Sequence, residues 1–274
     1  MRQGLLTKRQ LMSSPCQRLF RDIYVHVDVA VTHTVLRRAV ELFLPPGAAI
    51  SGASAAHLHG ANVLKLDAPV EVTVPPQLWI AKQPRLTVRY SELRAGDVDS
   101  RAGVPTTTPV RTGFDLARWS SLEDAVVSVD ALLTSCGLRI EEIANYANDG
   151  RSCWRGVGRL ARVLSLAAAG AESPMETRPR LVLVRAGLPA PALQFAVWAA
   201  NGTPVARLDL AYVHTRLGIE YDGECHWEPR AVRKDLLRQN ALRAVGWTVL
   251  RFTADDVLRH PGRVVAQVRS ALRY

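Results

Sequence analysis

Two acids, Asp209 and Glu220, flank a short turn in the stretch Arg-Leu-Asp-Leu-Ala-Tyr, then Leu-Gly-Ile-Glu-Tyr-Asp-Gly. If His214-Thr215 is the turn of a hairpin, Asp209 falls directly opposite Glu220. Opposed residues of antiparallel strands have Cβ atoms about 4.5–5.5 Å apart and share a face. Asp222, two residues beyond Glu220, projects to that same face, while Leu217, Ile219 and Tyr221 form an apolar opposite face. Carboxylates this close repel unless a cation lies between them. A hard divalent ion such as Mg²⁺ or Mn²⁺ takes one or two carboxylates together with water and phosphate oxygens. Such an ion polarises a phosphodiester and lowers the pKa of an attacking water. The plainer alternative pairs Asp222 with Arg207, its register partner, and leaves Asp209 solvated.

Neighbouring residues extend the cluster. Asp222-Gly223 turns the chain and His226 follows within reach of the same mouth. The next predicted helix places Asp235 and Arg238 three apart on one face, which by itself is also the spacing of an ordinary surface ion pair. Arg207, Arg230, Arg233, Lys234 and Arg238 are the candidate contacts to nucleic-acid phosphates. Earlier in the chain, Ser173-Pro-Met-Glu176 fits a capping box with Pro174 at the first helical position.

The elements that position these residues read from periodicity. Strands are predicted at about 194–199, 205–211, 217–221 and 247–252, with helices from Ser173, at 230–245 and at 254–273, the last interrupted near Pro261 and the first containing Pro179. This order makes a mixed sheet with packed helices, an α/β (α+β) domain over 171–274. Residues 109–170 read as a helical connector, with helices at 110–119, 121–135, 140–148 and 158–168. Residues 1–108 read as a mixed α/β region: a short N-terminal helix, a strand near 23–27, a helix at 32–44 stopped by Pro45-Pro46-Gly47, a short helix within 50–60, and strands at 70–74 and 86–90. His57 and His59 stand two apart, which separates them on a helix and favours packing or capping over metal binding. Trp119, Trp154 and Trp198 are expected in cores.

Composition narrows the function classes. The net charge is +10, and it is spread: 20 basic against 15 acidic residues through residue 170, and 15 against 10 after it. A distributed basic surface favours a polyanionic partner, because phosphate contacts release counterions. Cys16, Cys136, Cys153 and Cys225 form no C-x-x-C pair, which argues against a structural zinc and a disulfide framework and for a reducing cytoplasmic setting. No stretch approaches the ~18 apolar residues of a membrane span.

The run Arg-Leu-Asp-Leu-Ala-Tyr, Gly-Ile-Glu-Tyr-Asp-Gly with His226, Asp235-x-x-Arg238 and Ala-Val-Gly-Trp-Thr-Val-Leu-Arg-Phe resembles one family over about residues 172–272. This is the endonuclease-like family designated domain of unknown function 559, related to very-short-patch repair endonucleases in the PD-(D/E)xK restriction-endonuclease-like superfamily. The resemblance implies that fold, Mg²⁺ or Mn²⁺ as cofactor, Asp209 and Glu220 as metal ligands, and the Tyr221 carbonyl as a third. It also suggests a metal-proximal role for Glu176, beside the capping role. Asp222 occupies the position where the superfamily usually carries lysine and the repair branch a histidine, which leaves Asp222 as a further ligand or a general base. Phe20-Arg-Asp-Ile-Tyr-Val25 with Ile50-Ser-Gly-Ala-Ser-Ala-Ala-His-Leu-His-Gly60 resembles the AbiEi antitoxin-like family, in which a winged helix precedes this region; here the expectation is either a truncated head or a start codon further upstream. Two functions follow as expectations. One is a metal-dependent endodeoxyribonuclease. The other is a non-catalytic DNA-binding regulator of the antitoxin type, with a toxin–antitoxin, repair or defence partner.

Overall fold

A computed structural model describes Arg9, residues 15–223 and residues 229–272, with the backbone alone for 229–232. The N-terminal helix expected from the sequence lies largely outside the described residues, as does His226. The chain divides into two units, Met1–Leu116 with Glu141–Ser152, and Ala117–Ile140 with Cys153–Tyr274. The helical stretch 109–170 is thus shared between them.

The first unit opens with a hairpin of β1 (Cys16–Phe20) and β2 (Ile23–His26), followed by α1 (His33–Glu41). Thr32 caps α1, its hydroxyl accepting from the Val35 N–H at 3.3 Å. A five-stranded sheet follows in the order β5-β4-β3-β7-β6, from β3 (Ala49–Ile50), β4 (Val70–Val74), β5 (Leu86–Tyr90), β6 (Val98–Arg101) and β7 (Val104–Thr107). Val70, Val72, Val74 and Ile50 are fully buried beneath Leu36, Val40 and Phe20. Helix α2 (Gly52–Leu58) places His57 against His33, with ring centroids 5.9 Å apart, and ends at His59, whose buried Nε2 meets the Thr107 carbonyl at 2.7 Å. Both histidines therefore have packing or capping roles. Arg111, fully buried, binds Asp97 and Asp115 at 2.8 Å each and fixes the start of α3 (Pro109–Trp119). Strands β1, β3, β6 and β7 have no counterpart in the sequence reading.

Helix α5 (Ile140–Asn148) falls almost wholly in the first unit; in the second, α4 (Leu122–Cys136) packs on α7 (Pro174–Arg185), and α6 (Leu160–Leu166) precedes α7. A four-stranded mixed sheet has the order β11-β10-β9-β8, from β8 (Ala192–Trp198), β9 (Pro204–Tyr212), β10 (Leu217–Tyr221) and β11 (Thr248–Phe252). Only β10 and β11 are parallel, and α8 (Pro229–Ala244) makes the crossover between them. Against one face, Leu183 of α7 and Val257, Val264, Val268 and Leu272 of α9 (Ala254–Arg259) and α10 (Pro261–Leu272) pack on Leu210, Tyr212, Leu217, Ile219 and Phe252. Against the other, Leu242 of α8 and Trp247 pack on Val197, Leu208 and Ala211. Gly218 permits this second layer, since a Cβ there would lie 2.8 Å from Leu208 Cδ1. Asp130 of α4, fully buried, accepts from Arg180 at 2.6 Å, Thr177 at 2.9 Å and the Ala168 N–H at 2.8 Å, and so ties α7 to the helical layer.

Two expectations about tryptophan and capping need correction. Trp198, near the edge of β8, is 59% exposed and belongs to no core. Trp119 and Trp154 instead flank the Arg118 guanidinium at 4.3 and 5.3 Å. Ser173 does cap α7 by position, but its hydroxyl donates to Glu176 Oε1 rather than accepting from the helix N–H groups.

Candidate functional site

The hairpin register is the one expected. Leu217 pairs with Tyr212, Gly218 with Ala211 and Ile219 with Leu210, so the next positions in line are Glu220 and Asp209. The pleat, however, is broken there. Leu208 belongs to the layer with Ala211 and Trp247, and Leu210 to the layer with Leu217 and Ile219. Between them Asp209 turns into the gap left by the missing ladder bond, its Oδ2 accepting from the Tyr221 N–H at 3.0 Å. On the other flank, Leu193 pairs with Leu210 and Phe195 with Leu208, so Gln194 stands opposite Asp209. Gln194 has φ 47° inside a strand, a conformation that a side chain other than glycine adopts only against steric resistance.

Three carboxylates act on one another at this break. Burial holds the Asp209 carboxyl above the usual carboxylate range; the Tyr221 N–H opposes this, and Glu176 and Glu220 push it further up. Glu176 is buried, with Oε2 accepting from Gln194 Nε2 at 2.7 Å and from the Glu172 N–H at 2.8 Å. Its local helix-start role and its place beside Asp209 are thus filled by one side chain.

Glu220, 7% exposed, is gripped by two cations. Arg238 of α8 donates from both terminal nitrogens to its two oxygens, at 2.5 and 2.7 Å, and Arg251 Nε lies 3.3 Å from Oε2. Asp235 is the hub behind them. It accepts twice from Arg251, at 2.7 and 2.5 Å, once from Arg238 at 3.2 Å and once from Gln239 at 2.9 Å. The Arg251 hydrogen bonds above all lower its pKa to about 2.

Asp222 continues the strand, its N–H bonded to the Phe252 carbonyl, with its half-exposed carboxylate 4.0 Å from Arg251. The expected alternative, an Arg207–Asp222 pair, is not made: Arg207 binds Glu172 at 2.7 Å, because β9 and β10 part beyond Asp209. Arg233 and Lys234 are exposed on α8, and the Arg230 side chain lies outside what is described.

The structure therefore brings together Asp209, Glu220, Glu176, Asp235, Arg238 and, at the rim, Asp222. It adds Arg251 and Gln194, which sequence reasoning missed. Arg251 had one available signal, an arginine inside the otherwise apolar strand Thr-Val-Leu-Arg-Phe; its parallel register sets it beside Glu220. Among the described residues no three or more acids, histidines or cysteines are grouped to hold a metal by themselves.

Two family models match separate stretches of the chain. Residues 192–272 match the restriction-endonuclease-like family model REase_MTES_1575, and residues 48–166 match the AbiEi antitoxin C-terminal domain. Two Mycobacterium tuberculosis proteins, Rv2248 of strain H37Rv and MT2308 of strain CDC 1551, are each 34% identical over 168 residues. The match spans 61% of this chain and 61% of either relative. A Haemophilus influenzae protein (strain KW20) is 41% identical over 61 residues, 22% of this chain and 50% of its own. The crystal structure of the RV2827C protein from M. tuberculosis aligns at a TM-score of 0.35 and 17% identity, over 62% of this chain and 66% of that one, too slight a likeness to carry an argument. Among the described residues no helix is long and apolar enough to cross a membrane.

Proposed function

We propose that residues 171–274 form a metal-dependent nuclease domain that hydrolyses DNA phosphodiester bonds by attack of water. The observation that carries this reading is the carboxylate group at a break in the sheet: Asp209, held by the Tyr221 N–H, next in register to Glu220 and backed by the buried Glu176. The donor set fits a hard divalent ion. All its members are oxygens, and Glu220 already draws a bidentate guanidinium, a cation standing where positive charge is demanded. Two carboxylates, Asp209 and Glu220, with the Tyr221 carbonyl, suit Mg²⁺ or Mn²⁺, which keep several waters. Such an ion supplies charge to the phosphate and acidity to the attacking water.

The protein side chains complete the chemistry. Glu176, steadied by Gln194, adds negative charge behind Asp209 and strengthens its hold on a cation. Asp222 lies at the open rim and accepts the proton of the attacking water at a carboxylate oxygen. No lysine stands there, so positive charge toward the scissile phosphate comes from Arg238 and Arg251. Arg233 and Lys234 on the exposed face of α8 contact flanking phosphates, as the net charge of +10 favours. His226 is proposed at the same mouth and lies outside the described residues.

A second reading, a non-catalytic DNA-binding regulator of the antitoxin type, has its own observation: both oxygens of Glu220 are occupied by Arg238. The two separate in one assay. Supercoiled, linear and single-stranded DNA are incubated with Mg²⁺, Mn²⁺ or chelator, using wild type and Asp209→Ala. Metal-dependent cleavage that Asp209→Ala loses supports the nuclease. DNA binding without cleavage under every condition supports the regulator.

A further inference from the structure

We propose that Arg238 is an exchangeable counterion: it neutralises Glu220 before a divalent ion binds, and passes to a phosphate oxygen of the nucleic acid once the ion takes Glu220. The inference rests on the nuclease reading and adds a coupling between metal and phosphate binding.

The two arginines at Glu220 are held differently. Arg251 is anchored by Asp235 through two hydrogen bonds, at 2.7 and 2.5 Å, and approaches Glu220 with Nε at 3.3 Å. Arg238 is anchored by Glu220 itself, through both terminal nitrogens, and keeps a single 3.2 Å bond to Asp235. A cation that displaces guanidinium from Glu220 therefore leaves Arg251 in place and releases Arg238.

Arg238 cannot leave by losing its proton, because guanidinium stays charged under all ordinary conditions. Its free fork needs an anion with two acceptor oxygens, and a phosphodiester presents that geometry. Its side chain is 30% exposed, and Lys234 stands one helical turn before it on α8, so a released Arg238 joins a cationic row facing solvent. The carboxylate it vacates is 9% exposed, so that ion and guanidinium compete for the same two oxygens. Metal and phosphate then assist each other, and by linkage each raises the other's affinity by the same factor.

The test uses the full chain without nucleic acid at first. Mn²⁺ is titrated calorimetrically into wild type, Arg238→Gln, Arg238→Lys and Asp209→Asn, with melting in chelator as the check on folding. Arg238→Gln is expected to bind Mn²⁺ about tenfold more tightly than wild type, because a competing charge-assisted fork is gone. Arg238→Lys, which keeps the charge without the fork, is expected between the two. In a second arm, DNA affinity is measured with Ca²⁺ and with chelator; Arg238→Gln is expected to lose the metal-dependent part of the affinity and keep the rest. Wild type that binds Mn²⁺, loses it in Asp209→Asn, and is matched by Arg238→Gln overturns the exchange while the nuclease reading stands. Absence of Mn²⁺ binding in both wild type and Arg238→Gln overturns both.

Discussion

Gln194 offers a test whose sign is set by the backbone. At an ordinary strand position glycine is less stable than alanine by about 0.5–1 kcal/mol, since it loses more conformational freedom on folding. Gln194 has φ 47° between regularly paired neighbours, where any Cβ costs roughly 1–2 kcal/mol. Replacing it by glycine or by alanine removes the same hydrogen bond to Glu176, so that loss cancels in the comparison. What remains is the Cβ, and the expected difference is about 1 kcal/mol in favour of Gln194→Gly over Gln194→Ala. For a unit of this size that is roughly 2–4 °C in Tm. Both variants are expected below wild type, since each forfeits a charge-assisted bond worth about 1.5–3 kcal/mol. Thermal and urea melting in chelator read both quantities. A Gln194→Ala variant as stable as Gln194→Gly, or more so, would refute the left-handed backbone opposite Asp209.

Other expectations concern the supports of the site. Arg180→Met leaves Asp130 buried without its guanidinium and is expected to cost about 3–5 kcal/mol in urea unfolding, with part of the loss recovered in Arg180→Met/Asp130→Leu. Asp235 titrates near 2 when folded, below its usual 3.8, so its contribution is present above about pH 4 and lost as pH falls through 2. Asp235→Asn should therefore flatten the melting profile between pH 4 and 2; an unchanged slope would contradict the arginine hub. Affinity for duplex DNA in chelator should fall steeply and log-linearly between low and moderate salt, and a flat dependence would leave the positive charge without a polyanionic partner.

The hairpin that carries Asp209 and Glu220 was legible because its turn is short. A close turn at His214-Thr215 allows one register, and observed pairs such as Leu217 with Tyr212 follow it. Strand β10 and strands β4 and β5 alternate clearly and begin and end as read. Strands β6 and β7, Val-Asp-Ser-Arg and Val-Pro-Thr-Thr, are short and polar, and only their pairing with each other and with β3 makes them strands. Arg251 escaped for a related reason: a parallel partner sits across a whole helix, and no local pattern sets that register. The alternative Arg207–Asp222 pair is not formed because of strand splay, which depends on the broken pleat at Asp209 and lies outside what alternation encodes. Gln194 carried no signal at all, since glutamine has no preference for positive φ.

Asp209 is proposed to belong to a hydrolytic site. This is tested by the single-turnover cleavage rate of duplex DNA by wild type and Asp209→Asn at saturating Mn²⁺, with cooperative melting of each in chelator establishing that both are folded. Cleavage by wild type is expected to stop on chelation, and the rate to fall at least about a hundredfold in Asp209→Asn. Equal rates in the two proteins, or cleavage that survives chelator, would contradict it.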